Sequence, residues 1–280
     1  MIDFSLIVAT LGRSIELKPL LNSLCNQSHS NFELILVDQN KDDRLEPVLS
    51  SYSPNFPVEH IKSEKGISRA RNIGIKKARG KVVGFPDDDC WYPIIFLETL
   101  LNQFSNNPEI DGFTGRVINE CGNNLGRYAN EPGYLTRYNV WERTSAVSMF
   151  LKISVLYNIG GFDEQMGIGG STKWQGAEDV DLPIRAIEHG YQIYFDPKII
   201  VYHPAVITDD LEKWYLRAFN YGAGIGHVWS KHHYPNWLVG YYLLRPLLGT
   251  MVSLVRVDLN KARYYWNSFR GRLYGWKSQG

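Results

Sequence analysis

The sequence predicts an α/β protein: a Rossmann-like, mostly parallel central sheet flanked by helices, with a helical segment at the C-terminus. Three observations predict it. Short β-rich apolar runs alternate with helically spaced apolar residues over about the first hundred positions, the pattern of a parallel sheet covered on both faces. Polar residues stand where those runs stop, at Thr10, Asp38 and Asp87 to Asp89. The chain then changes character: residues 213–280 hold ten Lys or Arg and one acid, Asp258.

The elements follow in order. Phe4–Thr10 reads as a buried strand, and Ile15, Leu17, Leu20, Leu21 and Leu24 have helical spacing. Phe32–Val37 is a second strand ending at Asp38, and Val58–Ile61 is a weaker third. Residues 67–78 read as helix, with Gly80 as a stop. Lys81–Phe85 is a fourth strand that runs into Pro86 and three aspartates, and 93–104 fits another helix. Phe113–Ile118 and Ser145–Leu151 read as strands, Asp181–His189 as a helix stopped by Gly190, and Tyr191–Phe195 and Ile199–Tyr202 as two short strands. Residues 210–233 read as helix, weakened in the middle by Gly222, Gly224 and Gly226. The domains expected are 1–209, which carries the chemistry, and 210–280, a basic and aromatic helical segment.

With 44% hydrophobic and 21% charged residues in 280, the composition is that of a folded globular chain and argues against disorder. Cys25, Cys90 and Cys121 are widely spaced and odd in number, which suggests neither a disulfide framework nor a zinc site, and reduced cytosolic thiols are the simplest reading. Met1-Ile2-Asp3 runs straight into a strand, unlike a signal peptide. The net charge of +1 hides a split of −8 on residues 1–212 and +9 on 213–280.

Four features carry candidate chemistry. Asp87-Asp88-Asp89 follows a buried strand; adjacent carboxylates repel, and a divalent cation such as Mn²⁺ or Mg²⁺ would relieve them, though a solvated acidic turn reads the same way. Glu178-Asp179 opens a helix after the glycine-rich Gly167–Gly176. A helix dipole favours acids there in any case, but such loops also close over substrates. His203 ends a strand, as either a structural hydrogen-bonder or a ligand. Arg69, Arg71 and Asn72 begin a helix, which suits phosphate or a solvated basic face. There is no GxxxxGK[ST] loop, no GxGxxG after the first strand and no GxSxG elbow, which argues against P-loop NTPases, dinucleotide folds and serine hydrolases.

In order and spacing, SLIVAT, LILVDQN, GISRARNIGI, GFPDDDC, IGGFDE, GAEDVDLPIRA and VYHP resemble the family 2 glycosyltransferases of GT-A fold, over roughly residues 3–205. The C-terminal segment is similar to bacterial members acting on surface polysaccharides. The resemblance implies an inverting enzyme that moves sugar from a nucleotide-diphosphate sugar to a glycan or lipid-linked acceptor. It implies that Asp38 hydrogen-bonds the base with Thr10 and Arg13 beside it, and that Arg71 and Asn72 lie near the base, ribose or diphosphate. Asp87 and Asp89 match the ends of the DxD motif: Asp89 would ligate the metal and Asp87 or Asp88 would meet the ribose. His203 is placed as a further ligand, and Asp179 as general base with Glu178 beside it. Many relatives have a non-acid where Asp88 stands.

Two other functions compete. A sugar-nucleotide pyrophosphorylase would want a GxGxR-type loop where this chain has Ala9-Thr-Leu-Gly-Arg13. A non-catalytic module, binding nucleic acid through the basic aromatic tail, would leave the carboxylates unexplained; nucleic acid is not the partner expected. Trp237–Val255 is 19 residues with one charge, Arg245, followed by Pro246. It reads as a broken pair of helices lying in a membrane interface, as a core helix, or as a span. The expectation is a cytoplasmic enzyme held peripherally at the anionic inner membrane face.

Overall fold

The computed structural model describes residues 1–52, 54–205 and 210–278. The chain divides into two compact units. The first comprises residues 1–65, 69–162 and 182–205, and the second 66–68, 163–181 and 206–280. The glycine-rich loop thus groups with the C-terminal helices. The boundary expected after residue 209 falls at the edge of 206–209, outside the described residues.

The first unit is built on an eight-stranded sheet: β1 (Phe4–Thr10), β2 (Phe32–Asp38), β3 (Val58–Lys62), β4 (Val82–Gly84), β5 (Gly112–Ile118), β6 (Gly133–Tyr134), β7 (Phe150–Lys152) and β8 (Ile193–Tyr202). Their order is β3-β2-β1-β4-β7-β5-β8-β6. β1 is parallel to β2 and β4, β2 to β3, and β5 to β8, whereas β7 is antiparallel to both neighbours and β6 to β8. Two reversals across β7 restore the direction, so β8 runs the same way as β1. The carboxyl ends of β1, β2, β4 and β8 therefore emerge on one edge, the edge where such sheets bind ligands.

Helices α1 (Lys18–Cys25), α2 (Glu46–Leu49), α3 (Ile67–Lys77), α4 (Phe96–Asn106), α5 (Ile153–Ile159) and α6 (Glu178–Glu188) connect the strands. Leu20, Leu21 and Leu24 of α1 and Phe96, Leu97 and Leu100 of α4 join Phe4, Leu6, Leu34 and Leu36 in one core. A buried carboxylate, Glu33, sits beside it. Glu33 is 1% exposed and accepts from Ser5 Oγ (2.6 Å), Arg79 N (2.7 Å) and Arg79 Nε (2.7 Å). A buried carboxylate is tolerable only when its oxygens are satisfied this way, and the bonds pin the register of β1 on β2.

Three expectations are corrected. Ser145–Leu151 is not one strand: Ala146–Ser148 is a 3-10 turn, because the backbone N–H groups of Ser148 and Met149 turn back to the Ser145 (3.2 Å) and Ala146 (3.1 Å) carbonyls rather than continuing a ladder, and β7 starts at Phe150. Residues 193–202 form a single strand despite Pro197, with its register to β5 shifting between Thr114 and Arg116. The bulge absorbs the proline, which cannot donate to the ladder.

The third correction lies in the second unit, whose helices are α7 (Leu211–Lys231), α8 (Asn236–Val255) and α9 (Leu259–Lys277). α8 is continuous through Pro246, not a broken pair. The glycines of α7 are a packing seam: a Cβ on Gly222 or Gly226 would collide with the α9 backbone, and one on Gly271 or Gly275 with that of α7. Among the described residues α8 is the one helix long and apolar enough to cross a membrane by length and composition.

Candidate active site

β4 leads through Phe85 and Pro86 to Asp87, which bridges Ala9 in parallel. Two residues past Asp89, Trp91 N donates to the Tyr202 carbonyl (2.9 Å) and Tyr202 N to the Trp91 carbonyl (3.0 Å). The two rings stack with centroids 5.7 Å apart. This bridge brings the residue after β8 against the aspartates. His203 Nε2 lies 3.0 Å from Asp89 Oδ1 and 3.7 Å from Asp87 Oδ2. One ligand atom from each of Asp87, Asp89 and His203 lies within 4.8 Å of the others.

These residues fit a divalent cation on two observations. His203 Nδ1 is 2.7 Å from the Pro204 carbonyl; donating there leaves the Nε2 lone pair facing the carboxylates. Asp89 Oδ1 is buried and accepts no well-directed hydrogen bond, although His203 Nε2 is close. Side-chain cations offset the acids meanwhile. Arg13 Nη1 contacts Asp88 Oδ1 (2.5 Å) and Asp89 Oδ2 (2.6 Å), and Arg71 Nη2 lies 3.3 Å from Asp87 Oδ1.

The pKa directions reflect this balance. Burial pushes the Asp88 carboxyl up despite Thr10 and Arg13. Burial also opposes ionisation of Asp89, but His203 and Arg13 outweigh it and hold the group below the usual range. Burial disfavours the His203 imidazolium, yet Asp89 keeps the ring above its ordinary value. Asp88 is committed to Thr10 Oγ1 (2.6 Å) and Arg13. Asp87 and Asp89 are therefore the carboxylates with an oxygen to offer a metal.

Thr10, Arg13, Arg71, Asp87, Asp88, Asp89 and His203 thus form one connected cluster. Asp38 and Asn72 do not join it through the contacts just described. Asp38 has no exposed side-chain surface; Asn40 N (2.8 Å), Asn40 Nδ2 (2.7 Å), His60 Nε2 (3.1 Å) and Lys62 Nζ (3.0 Å) surround its two oxygens. Four donor atoms from three residues thus surround its carboxylate. Asn72 clamps Phe162, donating to its carbonyl (2.9 Å) and accepting from its N (2.8 Å). The sequence reading missed Asn40 and Lys62; Lys62 stands at the end of β3, beside Asp38 in register, a pairing visible only once the strands are aligned.

Glu178 and Asp179 belong to the second unit, in the first turn of α6. Glu178 is buried and Asp179 half-buried. Ala177, just before them, has φ +63°, a left-handed conformation costly for a non-glycine residue and a mark of functional segments. The preceding loop is held by its own unit: Trp174 stacks on His227 with centroids 3.6 Å apart. Two residues past Asp179, fully buried Asp181 meets Lys231 Nζ (2.8 Å) and His232 Nε2 (2.9 Å). Losing one partner of such a buried pair costs about 3–5 kcal/mol, so these ion pairs fix the helix start that presents Asp179. Sequence spacing gave no sign of them.

Residues 5–160 match the family model for glycosyl transferase family 2. The chain belongs to that family. An uncharacterized glycosyltransferase of Haemophilus influenzae is 39% identical over 131 residues, 46% of this chain and 43% of that protein, so the match spans less than half of the relative's length. Among solved structures, S. aureus TarS 1–349 in complex with UDP-GlcNAc superposes with a TM-score of 0.64 at 16% identity, covering 96% of this chain and 92% of that one. The mannosyltransferase PcManGT from Pyrobaculum calidifontis, in complex with GDP-Man and Mn²⁺, gives 0.67 at 14% identity, covering 99% and 88%. At these identities the likeness is one of fold, and this glycosyltransferase has the GT-A architecture.

Proposed function

We propose that this glycosyltransferase moves a sugar from a nucleotide-diphosphate sugar, of uridine or thymidine type, to a hydroxyl of a glycan or lipid-linked acceptor, with inversion. The observation that carries the reading is the Asp87–Asp89–His203 cluster at the carboxyl edge of the sheet. The UDP-GlcNAc of TarS and the GDP-Man and Mn²⁺ of PcManGT support it by analogy of fold.

Asp87, Asp89 and His203 would hold Mn²⁺ or Mg²⁺, and the bound cation would supply positive charge to offset that of the departing diphosphate. Arg13 fixes Asp88 and Asp89, and Arg71 stands beside Asp87. Asp179, supported by Glu178, accepts the proton of the acceptor hydroxyl as general base. The hydroxyl oxygen bonds to the anomeric carbon as the bond to the diphosphate oxygen breaks, and the diphosphate leaves with that electron pair. A single displacement needs no covalent intermediate and inverts the centre. The setting proposed is the cytoplasmic, anionic face of the inner membrane, reached through the basic residues 213–280.

A thermal-shift screen of nucleoside diphosphates and sugar nucleotides with Mn²⁺ tests the reading. A ligand at a hundred times its Kd adds about 2.7 kcal/mol to stability. The expected result is metal-dependent stabilisation by uridine or thymidine diphosphates. No shift with any nucleotide, metal present, would refute it.

A further inference from the structure

α8 has two unlike faces. One packs inside its own unit: Leu238, Val239, Pro246 and Ser253 are buried, Tyr242 stacks on Trp229 and Gly249 lies against the Tyr265 ring. The other carries Trp237, Tyr241, Leu244, Leu248, Met251 and Val255, between 50% and 84% exposed. Their spacing of four, three, four, three and four places them in one stripe along the whole helix. A continuous apolar stripe of this length on a folded unit marks an interaction surface.

Charge identifies the occupant. Arg245 is exposed beside the stripe, its guanidinium 5.3 Å from the Tyr241 ring centroid, and exposed Arg256 caps the helix end. Asp258 is the one acid between residues 213 and 280, and it is held by Lys261, Nζ to Oδ2 at 2.9 Å. A second copy docked stripe to stripe would set like charges against each other, whereas an anionic lipid surface complements them. The mode follows from the packed face: a helix with α9 along one side and Arg245 midway presents a single side to lipid, as in-plane interfacial helices do.

We infer that α8 lies flat in an anionic bilayer interface, inserting Trp237, Tyr241, Leu244, Leu248, Met251 and Val255 among the lipid chains while Arg245 and Arg256 meet headgroup phosphates. This rests on the membrane setting proposed above and adds the inserting face and its orientation. It also predicts a component of binding that salt does not remove, since salt at 1 M screens charges beyond about 3 Å and leaves apolar insertion in place.

The test is flotation of the full chain with phosphatidylglycerol and with phosphatidylcholine vesicles, at 0.05 and 1 M salt. The wild type should float with anionic vesicles and keep part of that binding in high salt. The exposed triple change Leu244→Glu, Leu248→Glu and Met251→Glu should lower the bound fraction at least tenfold while leaving the nucleotide-dependent thermal shift unchanged. That unchanged shift separates failure of this inference from failure of the proposed activity. As a second measurement on a conservative variant, lipids brominated near the headgroup should quench wild-type tryptophan fluorescence more than that of Trp237→Phe. Equal flotation of the triple variant, or quenching strongest from bromines at the bilayer centre, would overturn the inference. So would a wild type that fails to float and forms dimers that the triple change dissolves.

Discussion

Replacing Asp89 by alanine should abolish the Mn²⁺-dependent stabilisation of the protein by nucleoside diphosphates. Asp89 is 12% exposed at its side chain and is the carboxylate shared by Arg13 and His203. Its Oδ1 is buried without a well-directed hydrogen bond, so its removal takes away the oxygen that most needs a cation. Two ligand residues would remain, Asp87 and His203, too few for an all-protein grip on a hard cation. The measurement is the thermal shift with nucleotide, with and without Mn²⁺. The gain of about 2.7 kcal/mol expected of the wild type at a hundredfold excess over Kd should vanish in Asp89→Ala. A variant that kept the full metal-dependent shift would show that the cluster at Asp87 to Asp89 is not the metal site.

Replacing Asp179 by asparagine should leave donor binding intact and lower turnover by roughly 10²–10⁴, the usual worth of general base catalysis. The amide keeps the size and the polarity of the side chain in the first turn of α6 but cannot take a proton. The Asp181–Lys231 pair at 2.8 Å holds that turn, so the substitution should perturb the chemistry rather than the backbone. Single-turnover rates together with the nucleotide thermal shift separate the two effects. Normal turnover in Asp179→Asn, with a dead Glu178→Gln, would move the base to the neighbouring carboxylate.

Much of the fold was legible because β1, β2 and β4 are buried on both faces and read as largely apolar runs. β1 and β2 stop at Thr10 and Asp38, as their sequence implies. The misreadings have local causes. Pro197 and Pro246 both read as breaks, yet tertiary packing carries β8 and α8 through them. Glycines in α7 read as weakness from propensity alone, whereas close approach of α9 requires them.

The site was legible as residue types at strand ends, and Asp87, Asp89 and His203 do converge. What sequence could not supply were partners distant along the chain. Arg13 bridging Asp88 and Asp89 joins residues 75 and more positions apart, and Lys62 and His60 closing over Asp38 come from a neighbouring strand. A carboxylate at a strand end reads identically whether it faces a ligand or is already enclosed.

The central claim is that a nucleotide-diphosphate sugar is the donor and that a divalent cation assists its cleavage. It is tested most directly by measuring release of nucleoside diphosphate from a panel of sugar nucleotides, with Mn²⁺ and with excess EDTA. The account predicts release of UDP or dTDP from one or a few donors, abolished by EDTA and restored by Mn²⁺ or Mg²⁺. Undiminished release in excess chelator, or products cleaved between the two phosphates, would contradict it.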